Sequence, residues 1–208
     1  PLTPPPLTLP PTPVTLPLPL TLTLNPLTPT PLTLTPTPLT LTPAEIERRV
    51  VGYLKGDPRA SRKDWRKLGP LGMRWLYTRA VSPSEDPAAH RLRASALATL
   101  GQLAGASSVG PLIDVLAEPG LPLVVRCGAL EGLGHARHQR VVPVLQGQAY
   151  SPEFKVRLYA ATALGRVGTA GAKRALRDLA ERDPHGQVRR AASGELERIA
   201  KKEADAGD

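Results

Sequence analysis

Four stretches of the chain align without gaps: HRLRASALATLG (90–101), LVVRCGALEGLG (123–134), FKVRLYAATALG (154–165) and GQVRRAASGELE (186–197). Arginine recurs at Arg93, Arg126, Arg157 and Arg189, with spacings of 33, 31 and 32 residues. Alanine follows three positions later each time, at Ala96, Ala129, Ala160 and Ala192. Leu-Gly closes three of the four stretches, at 100–101, 133–134 and 164–165, and Leu68-Gly69 lies one period earlier. A fixed period of this length marks stacked supersecondary units, none of which buries its apolar face alone.

Each period reads as two helices. Asp86-Pro87, Ser151-Pro152 and Asp183-Pro184 put a capping side chain before a proline suited to the first helical position, and Asp57-Pro58 does the same earlier. The glycine after each leucine (Gly69, Gly101, Gly134, Gly165) predicts a helix C-terminus, where a missing Cβ is an advantage. A second helix then carries Leu112, Leu145 or Leu176, each eleven residues past that glycine; Val115 and Leu179 extend its apolar face, and Gln148 takes that place in the middle repeat. Thr42-Pro43-Ala44-Glu45 has capping-box spacing and precedes the stripe Ile46, Val50, Leu54. At the other end, a helix over about 186–202 runs into Lys201, Lys202 and an acidic tail, a polar terminus of the kind that keeps a solenoid from open-ended stacking. The predicted organisation is a cap helix at 44–55, units over about 57–82, 86–119, 121–150 and 152–183, and that terminal helix.

The pattern resembles the HEAT repeats of bacterial HEAT-like proteins, whose unit runs Asp-Pro, then Val-Arg, Ala and Leu-Gly, as in DPHGQVRRAASGEL (183–196). The resemblance covers about residues 57–200. It departs at Leu121-Pro122, which replaces Asp-Pro, and at Ser61-Arg62, where the first unit's arginine is out of place. It implies an all-α fold, a short right-handed α-solenoid of antiparallel helix pairs. It also implies that Arg93, Arg126, Arg157 and Arg189 bridge neighbouring units through carboxylates and helix-end carbonyls, whose partial negative charge favours a cation.

Composition divides the chain. Residues 1–43 hold no charged residue and fifteen of the 25 prolines, so the 27 basic and 18 acidic residues all fall in 44–208. Proline at that density forbids a helix, and residues 1–43 are expected to be a disordered, polyproline-II-like Pro-Leu-Thr tail. That tail reads as a glycosylated Thr/Pro stalk, a docking peptide, or a segment of no specific function. The Leu-Thr alternation is also what a repeated CTA-ACC hexanucleotide encodes, which makes translated repeat DNA a further reading; sequencing the native N-terminus tests it. No basic segment followed by a continuous apolar core marks a signal peptide, and no apolar run reaches the roughly 20 residues of a membrane span.

With one Phe, two Trp and four Tyr, the core must come from Leu, Val, Ala and Ile. The single cysteine, Cys127, excludes an internal disulfide framework and a cysteine cage for a metal, and reads as a packing residue. His135 and His138 form an H-x-x-H in a turn past a helix end, while His90 and His185 lie far away in sequence; no ligand set, cofactor or metal is expected. No phosphate-cradling glycine loop, paired catalytic acids or triad spacing occurs, so no enzyme is expected.

Charge supplies the remaining candidate site. Arg59, Arg62, Lys63, Arg66, Lys67, Arg74 and Arg79 face one acid, Asp64, within 59–79, beside Trp65 and Trp75. On a helix, 59, 62/63 and 66/67 share a face, a stripe able to meet a phosphate backbone or an acidic protein surface. The expected function is a macromolecular interaction or scaffold module that binds a protein. One alternative is nucleic-acid or other polyanion binding through the stripe; HEAT-like DNA glycosylases use a similar scaffold, though their catalytic residues have no match here. Another is an accessory or lyase-type role, as in HEAT-like proteins that help attach bilin chromophores. A monomer located in the cytoplasm is expected.

Overall fold

The computed structural model describes residues 41–56 and 60–206, all within the unit Thr40–Asp208. The readings of the tail at 1–40, and of Asp57-Pro58 and Arg59, lie outside the described residues. Ten α-helices follow in order: α1 (Pro43–Lys55), α2 (Arg62–Lys67), α3 (Gly69–Val81), α4 (Pro87–Ala104), α5 (Val109–Leu116), α6 (Leu123–Ala136), α7 (Val142–Gln148), α8 (Phe154–Val167), α9 (Ala170–Arg182) and α10 (Gly186–Ala204). Short 3-10 turns at Gly105–Ser108 and Gln139–Val141 lead into α5 and α7. No strand occurs among the described residues.

The helices stack in two layers. In one, α4, α6, α8 and α10 lie side by side; in the other, α3, α5, α7 and α9 each pack on the next helix of the first layer. The repeat residues explain this arrangement. Val125, Val156 and Val188, each just before a repeat arginine, are fully buried, as are Ala96, Ala129, Ala160 and Ala192. Leu97, Leu112, Leu130, Leu145, Leu164 and Leu176 fill the space between the layers with no exposed surface. Burial of each such leucine contributes about 1.5–3 kcal/mol. One largely aliphatic cluster, with Trp65 its buried aromatic member, runs through the stack from Ile46 to Ile199.

Helix starts follow local chemistry. Thr42 accepts from the Glu45 N–H while the Glu45 carboxylate takes the Thr42 N–H at 2.8 Å, a complete capping box for α1. Asp86 caps α4 by accepting from Ala88, with Pro87 at the first position. The other two proposed starts are corrected: α8 begins at Phe154, past Ser151-Pro152, and α10 at Gly186, past Asp183-Pro184. The reason is visible in the bonds. Ser151 Oγ accepts from the Glu153 N–H, and Asp183 Oδ1 from the His185 N–H at 2.8 Å, so each side chain closes a turn two residues long before its helix begins.

The Leu-Gly glycines are a second correction. Gly101, Gly134 and Gly165 lie inside α4, α6 and α8, three residues or fewer from their ends, and do not cap them. The C-terminal caps are Gly105, Arg137 and Gly168, all with positive φ. The repeat glycines instead let helices of the first layer meet backbone to backbone. A Cβ on Gly101 would collide with the Gly132 backbone of α6, and one on Gly134 would sit 2.7 Å from Ala163 Cα of α8. Gly69 is different: its φ of +61° separates α2 from α3, and Pro70 bars continuation of α2.

The first unit also divides differently from the expectation of a cap helix followed by a unit over about 57–82. The helix at α2 is six residues long, and α1 packs against both α3 and α4. Thus α1 and α3 stand as the first pair, with α2 inserted between them. The stretch Pro87–Leu116 is apolar and long enough by composition to cross a membrane, but it breaks at Gly105 and buries Leu97, Leu100 and Leu112 in the stack. One exposed glycine, Gly194 in α10, meets no atom within 4 Å of a would-be Cβ. Gly194→Ala is therefore expected to stabilise the chain by about 0.8 kcal/mol through helix propensity alone, read as a rise in the thermal midpoint.

Candidate interaction surface

Of the stripe residues, Arg59 is outside the described set, and α2 holds Arg62, Lys63, Arg66 and Lys67 in one and a half turns. Ser61 and Asp64 cap this helix reciprocally, and both the Ser61 and Lys67 bonds hold the Asp64 carboxyl well below its usual range. Two of the four cations are committed to the protein. Arg62 Nη2 donates to Gln102 O at the end of α4 at 2.6 Å, and Lys67 Nζ lies 3.0 Å from Asp64. Lys63 and Arg66 are exposed. Trp65 is buried beneath α2, edge-on to Tyr53 with ring centroids 5.3 Å apart, so it offers no face to a base. Arg74 lies on α3, away from α2, and is exposed on the wall of a separate groove.

That groove, about 470 Å³, runs between α1 and α3 and is lined by Pro43, Ile46, Glu47, Leu71, Trp75 and Arg79 among others. Helix α3 buries Gly72, Leu76 and Ala80 in the stack and turns Leu71, Trp75 and Thr78 into the groove from its other side, with Ser82 just past its end. Leu71 is 54% exposed. Arg79 Nε is fully buried and finds no acceptor among the described residues. The sequence singled out Arg74, Arg79 and Trp75 as members of a charged run and Pro43 and Ile46 as parts of a cap helix, but did not join them or name Leu71, because the α1–α3 contact carries no repeat signature.

The repeat arginines occupy a series of equivalent positions. Arg93, 3% exposed, donates from Nε to Ala80 O (3.0 Å) and from Nη2 to Val81 O (3.2 Å), the last carbonyls of α3, while its guanidinium forks onto the Glu118 carboxylate. Arg157 donates to Ser151 O (2.9 Å) and Pro152 O (3.0 Å) and forks onto Asp183 at 2.7 and 3.1 Å. Arg189 donates to Asp183 O and Pro184 O at 2.7 and 3.1 Å. Asp183 therefore holds two arginines, one through its carboxylate and one through its carbonyl. Burial acts to raise its pKa, but the bonds from Arg157 and from the His185 N–H prevail and hold it below the ordinary carboxylate range. The His185 ring stacks flat on Phe154, with centroids 4.1 Å apart.

Arg126 makes no such bond among the described residues, and a serine stands where its carboxylate partner would be. Ser151 sits where Asp183 sits in the next unit: its carbonyl accepts from Arg157 as Asp183 O accepts from Arg189, and its side chain closes the same two-residue turn. It lacks only a carboxylate. Ser151→Asp is expected to supply one to Arg126 and to stabilise the chain by about 1 kcal/mol, lost again in an Arg126→Met background. Equal stabilisation in both backgrounds would contradict the pairing.

The histidines and the cysteine are placed as follows. His135 lies in the last turn of α6, 3.6 Å from Glu131, and burial followed by the Arg166 charge lowers its pKa. His138 is not beside it: its Nδ1 accepts from the Arg140 N–H at the start of the 3-10 turn. His90 Nε2 bonds Ser84 O. No group of three His, Cys, Asp or Glu side chains converges among the described residues. Cys127 is buried on α6, and burial pushes its thiol pKa up, away from thiolate chemistry.

Helix pairs stacked in two layers, stitched by arginines that reach from one unit to the loops of its neighbours, define an α-solenoid. Residues 111–197 match the family model for HEAT repeats, which supports a HEAT-repeat class for the stack. No curated protein matches the chain.

Proposed function

We propose that this chain is a non-catalytic interaction or scaffold module whose partner is another protein. HEAT repeats generally mediate protein interactions or scaffolding, and a solenoid offers long, shallow surfaces fixed by nearest-neighbour packing. The observation that carries the reading here is the α1–α3 groove: Leu71 and Pro43 stand open to solvent beside a half-buried Trp75, on a helix pair whose inner face is locked into the stack. The experiment is cross-linking and affinity purification of the full chain at near-physiological salt. A protein recovered in fixed stoichiometry supports the reading; recovery of nucleic acid without protein sinks it.

A polyanion-binding reading keeps Lys63 and Arg66, which are exposed and bonded to no described residue. Two cations are few. With about two phosphate contacts, any duplex binding is expected to be weak, with a shallow log-log salt slope of about −1.8, and to fall short of micromolar affinity at physiological ionic strength. A salt titration against a generic duplex measures this, and micromolar binding at that salt, lost in Lys63→Gln/Arg66→Gln, would favour the polyanion instead.

A further inference from the structure

We propose that the α1–α3 groove receives an acidic amphipathic helix from a partner protein, with its apolar stripe on Pro43, Leu71 and Trp75 and a carboxylate paired to Arg79 and Arg74. This inference rests on the protein-binding reading above and names its site and the chemistry of its ligand.

Three features of the groove select this occupant. The first is charge. The groove has Arg74 and Arg79 on its α3 wall and Glu47 alone on its α1 wall, so a carboxylate on the α3 side meets two cations. The second is the Arg79 Nε, a buried donor with no acceptor among the described residues. Buried polar groups are nearly always bonded, and one left without a partner costs about 1–3 kcal/mol. Other arginines of this fold show what satisfies such a group: the buried Arg93 and the partly buried Arg157 each fork onto a carboxylate. A carboxylate brought by a partner would complete Arg79 in the same way.

The third feature is shape and place. Helix α3 spans about 20 Å at 1.5 Å per residue, and its groove residues Leu71, Trp75 and Thr78 fall along one side, with Ser82 just past its end. Every later helix pair has a preceding pair packed against it; α1 and α3 come first among the described helices. A helix laid in this groove would continue the helix-on-helix packing of the stack, the helix-in-groove mode of recognition. An apolar floor with cations confined to one wall suits a peptide better than a phosphate backbone, which meets runs of exposed cations.

The test uses the full chain and a displayed library of amphipathic helices of about 18 residues, roughly 27 Å long, with a fixed Leu/Phe stripe and randomised flanks. The recovered peptides are expected to be enriched in Asp and Glu on one flank. Their affinity should fall at least about 30-fold for Arg79→Gln and for Arg74→Glu, the loss typical when a buried interfacial charge loses its partner. Leu71→Asp, at an exposed position, should abolish binding, and circular dichroism should show all three variants fully helical. Neutral or basic flanks, a concentration-dependent dimer that Leu71→Asp dissolves, or displacement of the peptides by duplex DNA would each overturn the proposal. Acidic peptides that bind the variants equally well would overturn the groove while leaving protein recognition on another surface. No enrichment, together with no protein partner in the affinity purification, would overturn both.

Discussion

Asp183→Ala is expected to cost about 3–5 kcal/mol, the loss typical when one member of a buried, hydrogen-bonded ion pair is removed. The damage would fall on the last two units. Asp183 is 6% exposed, accepts two bonds from Arg157, closes its own turn through the His185 N–H, and offers its carbonyl to Arg189. Alanine keeps the carbonyl and removes the rest, leaving the Arg157 guanidinium with only the Ser151 and Pro152 carbonyls. In a linear array, stability is close to a sum of unit and interface contributions. Amide exchange in α9 and α10 should therefore rise before exchange in α4 and α6. Uniform acceleration along the chain would contradict this local picture. In a double-mutant cycle, Arg157→Met/Asp183→Ala should cost less than the two single changes together, since the second removes a partner already unpaired.

The pH dependence of that difference has a definite sign. The folded pKa of Asp183 is held below its unfolded value of about 3.9. The group's contribution is then fully present above about pH 4 and is lost as pH falls through the lower, folded value. Wild type and Asp183→Ala should differ most near neutrality and converge in acid. A gap that stayed constant from pH 7 down to pH 2 would show that the carboxylate charge is not what the variant removes.

The array was legible because one unit's contacts recur in every unit. The Val-Arg and Ala positions repeat as a burial pattern, and Val125, Val156, Val188 and the four alanines at three residues past the arginines are all at zero exposure. Two other features were less legible for physical reasons. A glycine relieves steric conflict both at a helix end and at a close helix crossing, so Leu-Gly was compatible with either; the true ends lie three or four residues further on, at Gly105, Arg137 and Gly168. The carboxylate partners, Glu118 and Asp183, stand 25 and 26 residues beyond Arg93 and Arg157. That spacing was available, but it crosses a whole helix pair and carries no local propensity. In the candidate site, Arg62 and Lys67 read as free cations because their acceptors, Gln102 O and Asp64, are set by tertiary packing and by a cap. The groove was hidden for the same reason: it exists only where α1 meets α3 across the inserted α2.

The repeat glycines make the close-crossing account testable, because two equivalent positions should respond differently to one methyl group. At Gly101 the would-be Cβ runs into the O, C and Cα atoms of Gly132, and no side chain can swing aside. Gly132 is itself pinned, since its own Cβ would lie 2.5 Å from Leu97 O of α4. Gly101→Ala must then push α4 and α6 apart, and is expected to cost about 1–3 kcal/mol even after the helix-propensity gain of about 1 kcal/mol. At Gly165 the obstacle is the Glu195 side chain, whose only bonds among the described residues are to Arg198 on the same helix. That carboxylate can rotate outward at the expense of a partly exposed ion pair of about 0–1 kcal/mol. Gly165→Ala should therefore change stability by less than about 0.5 kcal/mol, the loss offset by propensity. Chemical denaturation of the two variants decides the matter. Equal, small effects would return these glycines to a role at helix ends. A large loss at Gly101 beside a small one at Gly165 means that glycine is needed in the first layer only where backbone meets backbone.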